Sequence, residues 1–548
     1  MSIKVGTFAF AVILNATIAQ FLLSKSPDEN SLKEVVNQPC ESDNTGSTDS
    51  FEKDTKKHFN VLILGGGYSP SGNQVSLESN VKYFHRISNK FGFNEASCKT
   101  LFADGNDPSR DIQFFDPSFK VPEATKLLAS IMGTKRGLFN QYRNNRVKTN
   151  GNSSIGAIDK WISEANSTSK SSTNLIYFTG HGGKGDKKNP KNTTALLWEN
   201  VRLKVSDLST KLDRLPDSHK SILIMVQCYS GGFANIIFKD GNPKEGLSNQ
   251  HRAGFFATVH DRVAAGCTPD IREANYREYS TQFWEALCGE SRLGEKRKRP
   301  DFDRDGKTSL TEAHAYVIIN SETIDVPIKT SDVFLRNFVD FDNNKTLNES
   351  NASKGQLKQD HGSPYFGPND SLKKIAENAT PTAKTIIHEL AKKLNLELSS
   401  PYSELSKKTS ILEKKRSAIV TKKKERETER NKIRNNLKNR IKKEWPELTN
   451  MLHPAAHKLQ TQEHAKAFLS FANQEMQWSK FNEVQKEVDD LENERFGVEK
   501  NQVVTMRLKW ELENVFLRKE LLQKCNPSIV KRFENLLELE NLCLEEIY

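Results

Sequence analysis

Ile176-Tyr177-Phe178-Thr179-Gly180-His181-Gly182-Gly183 and Ile224-Met225-Val226-Gln227-Cys228-Tyr229-Ser230-Gly231-Gly232 decide how this chain is read. Each stretch is an apolar run that ends in a reactive side chain and then in glycines. A short continuous apolar run bounded by turn residues fits a strand buried on both faces. The glycines permit tight turns and let backbone N–H groups approach a substrate with no Cβ in the way. A single His beside glycines is more often structural, and a single Cys is more often a small core residue. The two together, in this order and each at a strand tip, point to nucleophilic chemistry.

The sequence around them alternates between strand and helix patterns. Asn60-Val-Leu-Ile-Leu64 is a buried-strand run closed by Gly65-Gly66-Gly67. The pattern then predicts a helix near 77–91, a strand near 98–102, an insertion over 106–150, a helix near 155–165 and the strand at 174–179. A helix near 205–212, the strand at 221–227, a strand at 254–260 and a helix near 276–287 follow. Such alternation predicts an α/β sandwich around a mainly parallel sheet. In such sheets ligands bind beyond the carboxyl ends of the strands, where His181 and Cys228 fall. One intervening helix makes their strands neighbours, so the two side chains can converge on one cleft. Cys228 is then the attacking group, its thiolate favoured by a following helix N-terminus. His181 protonates the leaving amine and activates water, and the N–H groups of Gly182 and Cys228 face the oxyanion. Asp261 and Asp270, beyond the last parallel strand, are acids that could accept a basic substrate side chain or simply be solvated loop residues.

Tyr177–Gly183, followed 47 positions after His181 by Gln227-Cys228-Tyr229-Ser230-Gly231, resembles the legumain branch of the caspase-fold cysteine peptidases. Ala265-Gly266-Cys267 through Tyr279-Ser280 and Phe283-Trp284 is similar to legumain's segment beyond its substrate strand. The resemblance spans about residues 58–290 and implies a caspase-like fold and a His181/Cys228 dyad with Gly182 at the oxyanion. It further implies that Gln227 lines the pocket for the residue preceding the scissile bond. Legumain also orients its His with an Asn, for which Asn73 is the counterpart here. Legumain's nearby Arg-His pair is absent, so a preference for Asn is not implied.

Asp301-Phe-Asp303-Arg-Asp305-Gly306-Lys307 through Glu312 follows the EF-hand pattern, with acids at positions 1, 3 and 5, Gly at 6 and Glu at 12. Asp301, Asp303, Asp305, Lys307 (through its carbonyl) and Glu312 are the expected ligands of a structural Ca²⁺. Catalysis itself needs no cofactor. Asp340–Lys345 keeps part of the same pattern. Between Glu404 and Glu444 stand 16 Lys or Arg against 6 Glu, which is +10 of the chain's net +11. That run is a solvated helical face, or it docks to an anionic surface or a partner helix. Its lack of aromatics argues against nucleic acid.

Lys4 and the apolar run Val5–Ala19, ending in Thr17-Ile18-Ala19, read as a signal peptide too short to span a bilayer. The expected product is secreted, periplasmic or lumenal, with no transmembrane segment in the mature chain. Seven scattered cysteines without CxxC give no disulfide framework. The organisation expected is a signal peptide at 1–19, a polar linker or pro-segment at 20–58 and a peptidase domain at 59–300. A calcium-loop region at 301–353, a linker at 354–402 and a helical hairpin or coiled coil at 403–548 complete it. The functional expectation is a cysteine endopeptidase acting on proteins or peptides. Its alternatives are a ligase using the same dyad and an inactive calcium-dependent scaffold on the same fold.

Overall fold

Val61, Leu62, Ile63 and Leu64 are all buried, because layers cover the first strand on both faces. The structure, a computed structural model, describes residues 58–339 and 365–544 apart from 119, 135–137, 139–140, 168–171, 451–452 and 460. The expected signal peptide, nearly all of the polar segment after it and the stretch Asp340–Lys345 lie outside the described residues.

The strands run β1 (His58–Gly65), β2 (Cys98–Phe102), β3 (Ile112–Phe114), β4 (Gln141–Arg143), β5 (Ser172–Thr179), β6 (His181–Gly183), β7 (Thr194–Leu196), β8 (Arg202–Lys204), β9 (Lys220–Met225), β10 (His251–Phe256) and β11 (Ile328–Lys329). Six of them form one sheet in the order β11-β10-β9-β5-β1-β2. Every pairing is parallel except β10 with the two-residue β11. The outer side of β2 is occupied by residues 149–151, through Asn150 N–H to Thr100 O and Phe102 N–H to Gly151 O. The predicted mainly parallel α/β core is therefore present. The three-residue strands β6–β8 and β3–β4 were not anticipated.

The helices are α1 (Val75–Ser88), α2 (Glu123–Met132), α3 (Ile155–Asn166), α4 (Val205–Leu212), α5 (Tyr279–Cys288), α6 (Leu310–Asn320), α7 (Thr330–Phe338), α8 (Leu372–Ile375), α9 (Pro381–Lys393), α10 (Tyr402–Glu444), α11 (Pro454–Lys458), α12 (Gln462–Gln474), α13 (Met476–Lys524) and α14 (Pro527–Glu540). Phe84 of α1 and Trp284 of α5 make ring contacts with Tyr177 of β5, which fixes both helices on the sheet. Two boundaries differ from expectation. The predicted linker 354–402 contains α9, whose Ile386, Ile387 and Leu390 share a core with Leu508 and Leu512 of α13. The predicted insertion contains α2, whose Leu128 and Ile131 pack with Leu437 and Ile441 of α10.

Among the described residues the helical C-terminal region has five helices, α10 to α14, more than a single hairpin. The long α10 ends at Glu444, just ahead of Pro446, which cannot donate the next helical hydrogen bond. Its ion pairs Arg416–Glu499, Lys423–Glu492 and Arg426–Glu487, and Arg440–Glu475 at the cap of α13, ascend in α10 as they descend along α13, so the two helices are antiparallel. The partner helix for much of the basic run is thus in the same chain. Nor is this region a separate appendage: Val503, Leu517 and Phe533 belong to the same hydrophobic core as β1 and β9. Among the described residues no helix is long and apolar enough to cross a membrane, and none of the six described cysteines is in a disulfide.

Candidate active site

In the pairing of β5 with β9, Phe178 stands opposite Met225. His181 and Cys228 each lie three residues further on, so register alone brings them out together at the carboxyl edge. Parallel strands are about 4.8 Å apart. Past the edge the two segments remain in contact. A methyl group built on Gly182 would run into the Cys228 carbonyl oxygen and the Gln227 side chain. Glycine is required at 182 by this close approach, and the backbone after the imidazole touches the backbone of the thiol residue.

The loop after β1 holds the imidazole. It turns at Gly66, where φ is +96°, and a Cβ at Gly67 would collide with the backbone of Gly72. The loop returns over the sheet edge so that Gly72 O lies 2.8 Å and Gln74 Oε1 2.9 Å from His181 Nε2. Both are acceptors, so Nε2 carries the proton and Nδ1 is the basic nitrogen. The Tyr68 ring stands edge-on to the imidazole at 5.2 Å. Burial lowers the imidazole pKa below 6.5, against the Gly72 hydrogen bond that favours the charged form.

Cys228 precedes a helical turn, Ser230–Ile237, as expected, and Tyr229 takes up the left-handed backbone (φ +62°) that redirects the chain. Yet the thiol is not depressed: burial raises its pKa, aided by the charge of Asp325 and opposed by the Ala264 backbone. Sγ lies 3.8 Å from Ala264 O and 3.4 Å from Ala264 N. Burial thus favours the neutral form of each group, which runs against the expectation of a thiolate favoured by the helix end. Desolvation outweighs a terminus of that length.

The other predicted residues divide. Gln227 is 1% exposed, lies under Gly182, and its amide nitrogen and oxygen have no hydrogen-bond partner among the described residues. Asn73 does not reach His181. It is fully buried, accepts from Gly67 N–H at 2.9 Å and donates to Asp111 at 2.8 Å, which shapes the loop whose next residue, Gln74, contacts the ring. Asp270 is held by Arg272, whose Nε and Nη2 donate to it, and by Asn275, so its charge is already matched. Asp261 is exposed beside His260. A carboxylate absent from the sequence reading, Asp325, is buried near the thiol and accepts from Ala265 N–H at 2.7 Å. Its loop, Ser321-Glu-Thr-Ile-Asp325, carries no motif.

Asp301, Asp303 and Asp305 are brought together, with carboxylate oxygens within 4.8 Å of one another. Gly306 has the left-handed φ of +83° and donates to Asp301, and Lys307 N–H donates to Asp305 at 2.8 Å. Glu312 is not part of this group. Its carboxylate accepts from Ser309 N–H at 2.9 Å and Phe302 N–H at 2.5 Å, closing the capping box of α6.

No family model matches the chain, and no curated protein matches it. Among solved structures, protein GSU0716 from Geobacter sulfurreducens is similar over 42% of this chain and 81% of its own, at 11% identity and a TM-score of 0.23. A likeness that low carries no argument about chemistry.

Proposed function

We propose that this chain is a cysteine endopeptidase of the caspase and legumain type, with His181 and Cys228 as its dyad. The observation that carries the reading is the shared register: both groups emerge three residues past Phe178 and Met225, with Gly182 packed on the Cys228 carbonyl. Starting from a neutral pair, His181 Nδ1 takes the thiol proton as sulfur attacks the scissile carbonyl. The imidazolium then passes that proton to the leaving amine. Gly72 O and Gln74 keep the ring in the Nε2–H tautomer through both transfers. The amides of Gly182 and Cys228 serve the developing oxyanion. Water completes the cycle, or a peptide amine does so in ligation.

Screening the full chain against a peptide library, with Cys228→Ala as control, tests this. Cleavage lost in the variant is expected. The half-buried thiol, with its pKa raised by burial, favours a second reading, a non-catalytic binding protein on the same fold. Absence of any Cys228-dependent cleavage or ligation would establish that one instead.

Asp301, Asp303 and Asp305 supply the hard oxygen donors that a structural Ca²⁺ takes, although Glu312 is committed to its helix cap. With millimolar CaCl₂ the unfolding midpoint should rise by an amount set by mass action, and Asp301→Asn/Asp303→Asn should not respond. An equal rise in both proteins would remove calcium from this loop.

A further inference from the structure

Resting on the peptidase reading, we infer that Asp325 is the specificity carboxylate of the site, and that the peptides preferred carry Arg or Lys before the scissile bond. Asp325 is 1% exposed, and its two oxygens differ. Oδ1 accepts from Ala265 N–H at 2.7 Å, while Oδ2 has no hydrogen-bond partner among the described residues. The neighbouring Ala264 is in contact with Sγ of Cys228, so consecutive residues of one segment touch the nucleophile and the carboxylate, whose charge acts on the thiol.

A buried carboxylate oxygen with an unused acceptor site is costly, and Arg507 and Arg262 favour the charge through space without a hydrogen bond to that oxygen. Arg507 is taken up by the carbonyl oxygens of Ile318, Ser321, Thr323 and Asp325 itself, at 2.7–3.2 Å. Arg262 is paired with Glu499 at 2.7 Å through Nη2, while its Nε has no hydrogen-bond partner among the described residues. Neither guanidinium bonds the carboxylate, so a substrate's guanidinium or ammonium is the group that would complete it. The segment between acid and cleft, Ala264-Ala265-Gly266, bears only methyl groups or hydrogen, with positive φ at Gly266 and Cys267. The acids chosen on sequence fit the role less well: Asp270 is neutralised by Arg272, and Asp261 sits in water where a charge pair is weak.

The test separates this inference from the peptidase reading. p-Aminobenzamidine, a fluorescent guanidinium analogue, is titrated into the full-length Cys228→Ala protein, where no turnover can occur. Binding is expected. Asp325→Asn, which keeps an oxygen for Ala265 N–H, should weaken it by roughly 30-fold or more, and Asp325→Glu should retain it if the Asn variant fails to fold. No binding, or equal binding with Asn at 325, overturns the inference. If p-aminobenzamidine binds through Asp325 while the library shows no Cys228-dependent cleavage, the cation site stands and the peptidase reading falls. If the library is cleaved without preference for Arg or Lys, the reverse holds.

Discussion

At the scale of single residues, Gly182 is where one methyl group does most harm. Gly182→Ala must push the Cys228 carbonyl and Gln227 apart. It should lose Cys228-dependent cleavage and about 1–3 kcal/mol of stability, the usual cost of overpacking, as read by a peptide assay and urea unfolding. The imidazole gives a second prediction. Because burial holds its pKa below 6.5 and its Nδ1 must be unprotonated to act, the acidic limb of kcat/KM should fall below pH 6.5. A limb well above it would show that burial does not hold the imidazole down. Gln74→Ala, which removes one of the two acceptors on Nε2, should lower kcat by roughly 10- to 100-fold with little change in KM. The place of His181 and Cys228, the dyad proposed, was legible because glycines and apolar runs mark strand tips. Those that position them were not. Gln74 is one place from the residue expected, in a loop where composition cannot say which side chain points inward. Asp325 acquires its setting from Arg507, 182 positions away.

At the scale of elements, the buried strands announced themselves, since a strand covered on both faces must be apolar at every position. Three-residue strands such as β6–β8 carry no periodicity to find. The helix α9 did carry it, in Ile386, Ile387 and Leu390, but lay among the Gly, Pro and Asn of a linker-like segment. The α10–α13 pair supplies a prediction that separates packing from charge. Ile419 is buried with Leu491 and Val498, whereas Lys423 pairs with Glu492 at the partly exposed seam. Ile419→Ala should cost about 2–5 kcal/mol and Lys423→Ala under about 1 kcal/mol in the same denaturation series. Equal losses would mean that the ion pairs, not the apolar seam, hold the helices.

At the scale of the molecule, the expected division into a peptidase domain and a helical tail does not hold, because the tail completes the core. Glu540 of α14 is fully buried. It accepts from Thr330 Oγ1 and Ser331 N–H at 2.7 Å, at the start of α7, and pairs with Lys329 of the edge strand at 2.5 Å. Glu540→Ala should destabilise the whole chain by about 3–5 kcal/mol, the loss typical when one partner of a buried pair is removed. A single cooperative transition at lower denaturant is the expected signature. Loss confined to the helices would restore the two-domain picture.

The margins of the central sheet carry a consequence for self-association. One margin is a two-residue strand whose Lys329 is tied to Glu540, and the other is already bonded to residues 149–151. Neither offers the row of free amides and carbonyls that lets one copy template another. Among the described residues, growth of the central sheet from molecule to molecule by strand addition is thereby hindered at both margins.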